Sequence, residues 1–408
     1  MRIAMVSEHA SPLAALGGVD AGGQNVYVAR LSEELARRGH DVTVYTRRDC
    51  TDLPDRVPLP GGGVVEHVQA GPPEPVPKDE LLPYMPGFGA RLAAAWRHER
   101  PDLVHAHFWM SGMAARIGAR PRGVPVVQTF HALGTVKRRH QGRRDTSPGE
   151  RIGIERQIGR GCARVLATCT DEVYELADMG VPPQHVSVVP CGVDAEHFRP
   201  GRPGAGVPAR RERHRLLACG RLVRRKGYDR AIRALTRIPD AELLLAGGPP
   251  AGLLEADDEA ERLLLLAERL GVADRVRLLG AVDPARMPAL MGSSDLVLCT
   301  PDYEPFGIVP LEAMACGVPV VATDVGGHRD SVADGTTGRL VPTGDPAAIA
   351  ATVRELLTDE RLRRRYGAAG RDRVMARYTW QRVADGVEQV YRQVVVGHTL
   401  PSESTEVA

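Results

Sequence analysis

Short apolar runs alternate with amphipathic helical stretches along nearly the whole of this 408-residue chain. That pattern leaves few folds open, because parallel strands joined by helices must be buried on both faces and so read as near-continuous apolar runs. In the first half the predicted strands are Ile3–Ser7, Val42–Thr46, Asp102–His105, Val124–Thr129, Arg164–Thr168 and Val186–Val189. Val26–Arg38 and Arg91–His98 read as helices between them. The series then breaks at Arg199–Pro208, a Pro/Gly stretch without apolar periodicity. It restarts with strands at Leu216–Cys219, Glu242–Ala246, Val276–Leu279, Leu296–Cys299 and Val318–Ala322, and helices at Arg230–Leu235, Glu259–Leu270 and Ala347–Leu357. The expected fold class is therefore α/β, with two Rossmann-like, doubly wound parallel-sheet domains facing a central cleft. The expected boundaries are an N-terminal domain over 1–198, a linker over 199–214 and a second domain over 215–377. A helix over 378–398 is expected to return to the first domain, and 399–408 to be a disordered tail.

Composition removes several function classes. The 53 basic and 51 acidic residues nearly cancel, which argues against a dedicated nucleic-acid binder. No run of about 18 apolar residues is present to span a membrane, and the start of the chain reads as a strand rather than a secretory signal. The seven cysteines form no CxxC pair, are odd in number and sit mostly in apolar runs. They read as buried free thiols in a reducing compartment, so a cytoplasmic location is expected.

One bias points to particular residues. Only Lys78, Lys137 and Lys226 are lysines among the 53 basic residues, and Asn25 is the only asparagine. Where a chain has replaced these types nearly everywhere, the survivors mark positions that need that side chain. Asn25 closes the first motif, Gly17-Gly-Val-Asp-Ala-Gly-Gly-Gln-Asn25, which lies between a strand and a helix. Its glycines, Gly22 and Gly23 among them, let backbone N–H groups approach an anion at a helix N-terminus. The spacing is not that of a G-x-G-x-x-G dinucleotide site, and Arg47 and Arg48 stand where an acidic residue would close the second strand. That speaks against an NAD-dependent dehydrogenase.

The second motif, Cys219-Gly-Arg-Leu-Val-Arg-Arg-Lys-Gly227, follows the first strand of the second half. Arg221 offers a guanidinium fork and Lys226 a compact ammonium, a combination suited to a diphosphate. Arg224 and Arg225 read as a solvated basic turn. The third motif runs from Glu304-Pro-Phe-Gly-Ile-Val-Pro-Leu-Glu312 into Ala-Met-Ala-Cys-Gly-Val-Pro. Its two carboxylates can accept hydrogen bonds from vicinal hydroxyls. Phe306, Gly307, Ile308 and Val309 form the start of a helix whose N–H groups suit a phosphate.

These residues resemble the retaining GT-B glycosyltransferases of family 4, which include sucrose-phosphate synthases and phosphatidylinositol mannosyltransferases. Within the family the wording is most similar to the branch that glycosylates inositol phosphate with N-acetylglucosamine. The shared phrases are His9-Ala-Ser-Pro-Leu, Asp20-Ala-Gly-Gly-Gln-Asn-Val-Tyr-Val, Trp109-Met-Ser-Gly, His131-Ala-Leu with Val136-Lys137, and Gly192-Val-Asp. The resemblance implies that Arg221 and Lys226 hold the donor diphosphate, Glu312 the donor ribose and Glu304 the hydroxyls of the transferred sugar. Gly22 and Gly23 would add backbone contact to the diphosphate, and His131 would lie by the reacting hydroxyl. The catalytic set is then His131, Arg221, Lys226 and Glu304. His9, Asn25, Lys78, Phe108, Ala132 and Arg151 match acceptor-side positions. Two positions depart from the inositol-phosphate branch: Phe108 replaces a tyrosine and Ala132 a threonine, so two hydroxyls that meet the acceptor phosphate there are missing here. Inositol phosphate, another cyclitol and a sugar phosphate all stay open as acceptors, as does a lipid or natural product.

The expected reaction is transfer of a sugar from a nucleotide-diphosphate sugar to a hydroxyl with retention, without a metal or other cofactor. A UDP-N-acetylglucosamine-like donor or another UDP- or GDP-hexose fits. A non-catalytic nucleotide-sugar binder is the alternative from another class. His105 and His107 read as hydrogen-bonded strand-end histidines rather than zinc ligands. The stretch 137–164, with nine Lys or Arg against three Asp or Glu, is compatible with an anionic acceptor or peripheral membrane contact. A homodimer is also compatible.

Overall fold

A computed structural model describes residues 1–14, 22–201 and 206–399, and for Thr399 the backbone alone. The first part of the glycine motif (15–21), the middle of the Pro/Gly stretch (202–205) and the tail (400–408) lie outside the described residues. The chain divides into two compact units, Met1–Pro190 with Val383–Ala408, and Cys191–Arg382.

The first unit is built on eight strands: β1 (Arg2–Val6), β2 (Asp41–Arg47), β3 (Arg56–Pro58), β4 (Val64–Val68), β5 (Leu103–His107), β6 (Val126–Thr129), β7 (Arg164–Ala167) and β8 (Val186–Val188). Their order is β3-β4-β2-β1-β5-β6-β7-β8, and every pair is parallel except β3–β4. In register, Ile3 lies between Val42 and Leu103. The second unit carries β9 (His214–Cys219), β10 (Ala241–Ala246), β11 (Val276–Gly280), β12 (Leu296–Cys299), β13 (Val320–Thr323) and β14 (Gly338–Val341), all parallel in the order β11-β10-β9-β12-β13-β14. In each sheet the first strand of the unit sits centrally, and the chain leaves it in opposite directions, toward β2 and β5 or toward β10 and β12. That is the topological switch at whose carboxyl end α/β sheets bind ligands.

The central strands are the ones read from sequence, because their apolar runs are buried on both sides. Three strands, β3, β4 and β14, escape that reading: each has at least one half-exposed or exposed polar position, so none forms an uninterrupted apolar run. Helices were underestimated where they contain glycine. The predicted Arg91–His98 is in fact Met85–His98, and Trp109–Ala119 is a second helix packed against it. A Cβ on Gly89 would lie 2.7 Å from Ile117, and one on Gly118 2.8 Å from Leu92 and Trp96. These glycines permit close helix packing; they do not break helices.

The last helix, Trp380–Thr399, places Tyr391 in the core of the first unit, with its hydroxyl 2.6 Å from His105 Nδ1. Six of the seven free cysteines are buried and Cys50 is exposed. Among the described residues no helix is long and apolar enough to cross a membrane.

Candidate active site

In the second unit the candidate residues gather at the carboxyl ends of β9, β12 and β13. The chain leaves β9 through Gly220 and a tight turn, Arg224–Lys226, ending at left-handed Gly227. This turn puts Lys226 Nζ 2.5 Å from Glu304 Oε2, with both side chains largely buried. Arg221, by contrast, has an exposed side chain. Glu304 sits in the loop after β12, clasped by the loop after β13: Gly327 N–H donates to the Glu304 carbonyl at 2.8 Å. A Cβ on Gly326 would lie 2.4 Å from that carbonyl oxygen, so only glycine fits there.

Gly307, left-handed at φ 74°, caps the eight-residue helix Ile308–Ala315. Pro310 has no N–H, so Ile308 and Val309 supply the first free donors of that helix end. Phe306 flanks them, and the main chain of Gly327 packs on the Phe306 carbonyl. A methyl at Gly307 would strain the left-handed backbone and lie 2.9 Å from Ser331 Oγ. Gly307→Ala is therefore expected to strain the helix start and to lose about 1–3 kcal/mol of stability, read by thermal unfolding.

The two glutamates, read alike in the sequence, differ in charge. Burial alone would raise the Glu304 carboxyl, but Lys226, then Arg225 and His328, overcome it and hold it down to about 2. Burial pushes Glu312 up to about 8, with Lys226 opposing. One ammonium is shared between two carboxyls and goes to the nearer. Around neutral pH Glu304 is a carboxylate and Glu312 a carboxylic acid, a division that signals separate roles.

Arg225 corrects a sequence expectation. Its guanidinium lies over the Tyr303 ring, 5.3 Å from the centroid, and its NH1 is buried; it is not a solvated turn residue. His328, buried with Nδ1 3.0 Å from the Thr323 carbonyl, was also missed, because Gly326-Gly327 reads as a plain turn.

In the first unit the candidates cluster at the ends of β1, β5 and β6. Phe108 (φ 79°), directly after β5, and His131 (φ 61°), two residues after β6, both have positive φ, a strain that concentrates at functional positions. His131 Nε2 meets His107 Nδ1 at 3.0 Å. Burial pushes His107 down to about 3 and His131 well below the usual imidazole range, so both are neutral. His105 uses both nitrogens, on Tyr391 and on Thr129 at 2.9 Å, as expected of a strand-end histidine. Among the described residues no group of His, Cys, Asp and Glu is arranged to hold a metal ion.

His9 Nδ1 lies 2.6 Å from Glu8 Oε1, and Ser111 donates to the same carboxylate. The His9 ring meets Phe108 edge-on at 5.0 Å, while Arg151 lies over Phe108 at 5.1 Å. Arg151 is almost wholly committed: Nε to Glu155 at 2.7 Å, NH1 to Ser147 at 3.2 Å and NH2 to the Ala132 carbonyl at 2.6 Å. Glu155 in turn accepts the Gly134 N–H at 2.8 Å. The two departures, Phe108 and Ala132, thus lie against the same guanidinium.

Gly22 is the N-cap and Gly23 the first residue of the helix Gly23–Arg37. Asn25 spends its amide within the loop, Oδ1 accepting from Gly22 at 3.1 Å and Nδ2 donating to the Ser11 carbonyl at 3.0 Å. Lys78 starts a short turn, Lys78–Glu80, whose Asp79 lies 2.5 Å from Thr146 and 3.9 Å from Lys137. Lys137 pairs with Asp145 at 3.0 Å. Glu8 went unremarked in the sequence; its only signal is its place beside His9 at a strand end.

Comparison with known proteins agrees with this geometry. The family model for Glycosyltransferase Family 4 matches residues 21–197, and that for Glycosyl transferases group 1 matches 207–373. The chain is 37% identical to the D-inositol 3-phosphate glycosyltransferase of Acidothermus cellulolyticus over 97% of its own length and 90% of that protein. It is 37% identical to that of Frankia alni over 95% and 98%. Its structure is similar to the sucrose-phosphate synthase of Thermosynechococcus elongatus, with a TM-score of 0.87, 31% identity and coverage of 97% and 99%. The likeness to glycosyltransferases replaces the dehydrogenase alternative. With both halves matched, each built on a doubly wound sheet with its candidate residues at the strand ends, the chain belongs to the family 4 glycosyltransferases of the GT-B fold.

Proposed function

We propose that this glycosyltransferase moves a sugar from a nucleotide-diphosphate sugar to a hydroxyl of a small polyhydroxylated acceptor, with retention and without a metal. The observation that carries the donor assignment is the Lys226–Glu304 pair beside the Gly307-capped helix. Lys226 and the N–H groups of Ile308 and Val309 neutralise the charge that grows on the leaving diphosphate, which is electrostatic catalysis by preorganised groups. Arg221, exposed in the same turn after β9, adds a guanidinium fork for the same phosphates. Glu304 accepts from hydroxyls of the transferred sugar, and Glu312 meets the ribose. Neutral His131, oriented by His107, lies on the acceptor side and hydrogen-bonds a sugar or acceptor hydroxyl without adding charge. On this reading no carboxylate acts as a nucleophile, and the leaving phosphate takes the acceptor proton on the same face.

Acceptor choice follows from the first unit. The names of the relatives point to inositol 3-phosphate. Here Phe108 and Ala132 bring no hydroxyl and Arg151 is engaged, and Lys78, which matches an acceptor-side position, is the cation we assign to an acceptor phosphate. Inositol phosphates, free cyclitols and sugar phosphates form the test panel. Incubation with UDP-, GDP- and ADP-sugars is expected to release nucleotide diphosphate only when one acceptor class is added, with the glycoside seen by mass spectrometry and its anomeric configuration by NMR. Release that ignores every acceptor, or an inverted product, overturns the assignment.

A further inference from the structure

The donor site holds one more cation than the diphosphate assignment uses. Arg225 precedes Lys226 in the turn, its guanidinium lies 5.3 Å over the Tyr303 ring, and its buried NH1 has no hydrogen-bond partner among the described residues. A buried guanidinium N–H without an acceptor calls for a physical explanation. The neighbouring carboxylates are already engaged. Asp302, whose N–H bonds the Arg225 carbonyl at 2.9 Å, is paired with Arg230, and Glu259 with Arg262 at 2.6 Å. Tyr303, under the Arg225 guanidinium, immediately precedes Glu304, and Glu304 takes its hydrogen bond from Lys226, the residue after Arg225, so Arg225 lies on both flanking contacts of this carboxylate and helps hold it down.

This arrangement poses a charge problem for donor binding. Lys226 cannot turn its ammonium fully to a diphosphate while it neutralises Glu304, and a buried carboxylate left alone is costly. We propose that Arg225 is a positioning residue that takes over Glu304 when Lys226 engages the donor diphosphate, so that Glu304 stays ionised in the complex. This inference rests on the donor site described above.

The charged and titratable groups facing Glu304 come from every neighbouring element. They are Lys226 and Arg225 on the turn after β9, Tyr228 on the following helix, Cys299 at the end of β12 and His328 after β13. Burial lowers His328 and raises Tyr228 and Cys299, in each case favouring the neutral form. Arg225 is then the one formal cation of this set that stays beside Glu304 once Lys226 moves.

Removing Arg225 forces a distinctive outcome. Without it, Glu304 must take up a proton as Lys226 leaves, and diphosphate binding becomes coupled to proton uptake. Linkage then sets the sign: affinity falls as pH rises, by up to about tenfold per pH unit where one extra proton is bound. The test is calorimetry of UDP, GDP and ADP, using whichever binds most tightly, between about pH 6 and about pH 9 in buffers of differing ionisation enthalpy. Arg225→Gln and Arg225→Met, the latter keeping the stem over Tyr303, are expected to take up close to one more proton than the wild type and to lose affinity progressively with pH. Arg225→Lys is expected to follow the wild type. Thermal unfolding confirms that each variant is folded. If both neutral variants match the wild type in proton uptake, whether their affinity is unchanged or lower by a constant factor, the assignment of Arg225 fails. If Lys226→Ala binds the nucleotide diphosphate as tightly as the wild type, the donor site itself is wrong, which separates the two failures.

Discussion

Lys226→Ala is expected to lower kcat/KM for glycosyl transfer by about 10²- to 10³-fold, the cost of removing one preorganised charge from a developing anion. Lys226 is the hub of the electrostatics around Glu304 and Glu312. It lies 2.5 Å from Glu304, is the first of the groups that hold that carboxyl down, and opposes the rise of Glu312. The fold should survive, because the side chain closes no part of the apolar core. Steady-state kinetics with a fixed acceptor and varied donor checks the claim, and a change below about threefold would refute it. The same substitution carries an acid signature. A carboxyl depressed from 4.5 to about 2 stabilises the native state above its unfolded value, and that contribution is lost as pH falls through the folded value. The difference in thermal stability between wild type and Lys226→Ala should therefore be largest above about pH 5 and shrink toward about pH 2.

Arg151→Met is expected to destabilise the first unit by about 3–5 kcal/mol, because it leaves a buried carboxylate without its partner. The pair is deeply enclosed: the Arg151 side chain is 3% exposed and that of Glu155 not at all. Burial already raises the Glu155 carboxyl, and Arg151 is the principal group opposing that rise. Losing the guanidinium also frees the Ala132 carbonyl and removes the lid over Phe108. Denaturant unfolding measures the loss. Arg151→Met combined with Glu155→Gln should recover much of it, since no buried charge remains. If instead the single variant keeps its stability and loses only acceptor affinity, Arg151 is a ligand group and its internal bonds are incidental.

The second-unit cluster was easier to see in the sequence because its residues are local to two motifs. Arg221 and Lys226 follow one strand, and Glu304 and Glu312 bracket one helix start, so spacing alone suggested what they could hold. The acceptor side was less legible. Asn25 stood out as the single asparagine, yet its amide is bonded within the protein, to the Gly22 N–H and the Ser11 carbonyl. Arg151 stood out as a matching position, yet its bonds go to Glu155, Ser147 and Ala132. Glu8 and Arg225 were hard to see, because a charged residue after a strand looks the same in the sequence whether it faces water or packs inside the protein.

The order of apolar runs determined the fold class and both sheets' central strands, since a strand buried on both faces must be apolar whatever it packs against. It also put the phosphate-type groups at strand ends. Only the tertiary structure decided the charge on each glutamate, because that depends on which carboxyl lies nearer Lys226 and how deeply each is buried. It likewise decided that His131 is neutral and held by His107, and that Phe108 sits between His9 and Arg151. Those facts come from contacts between residues tens of positions apart, and hydrophobic periodicity, a property of neighbours along the chain, does not encode them.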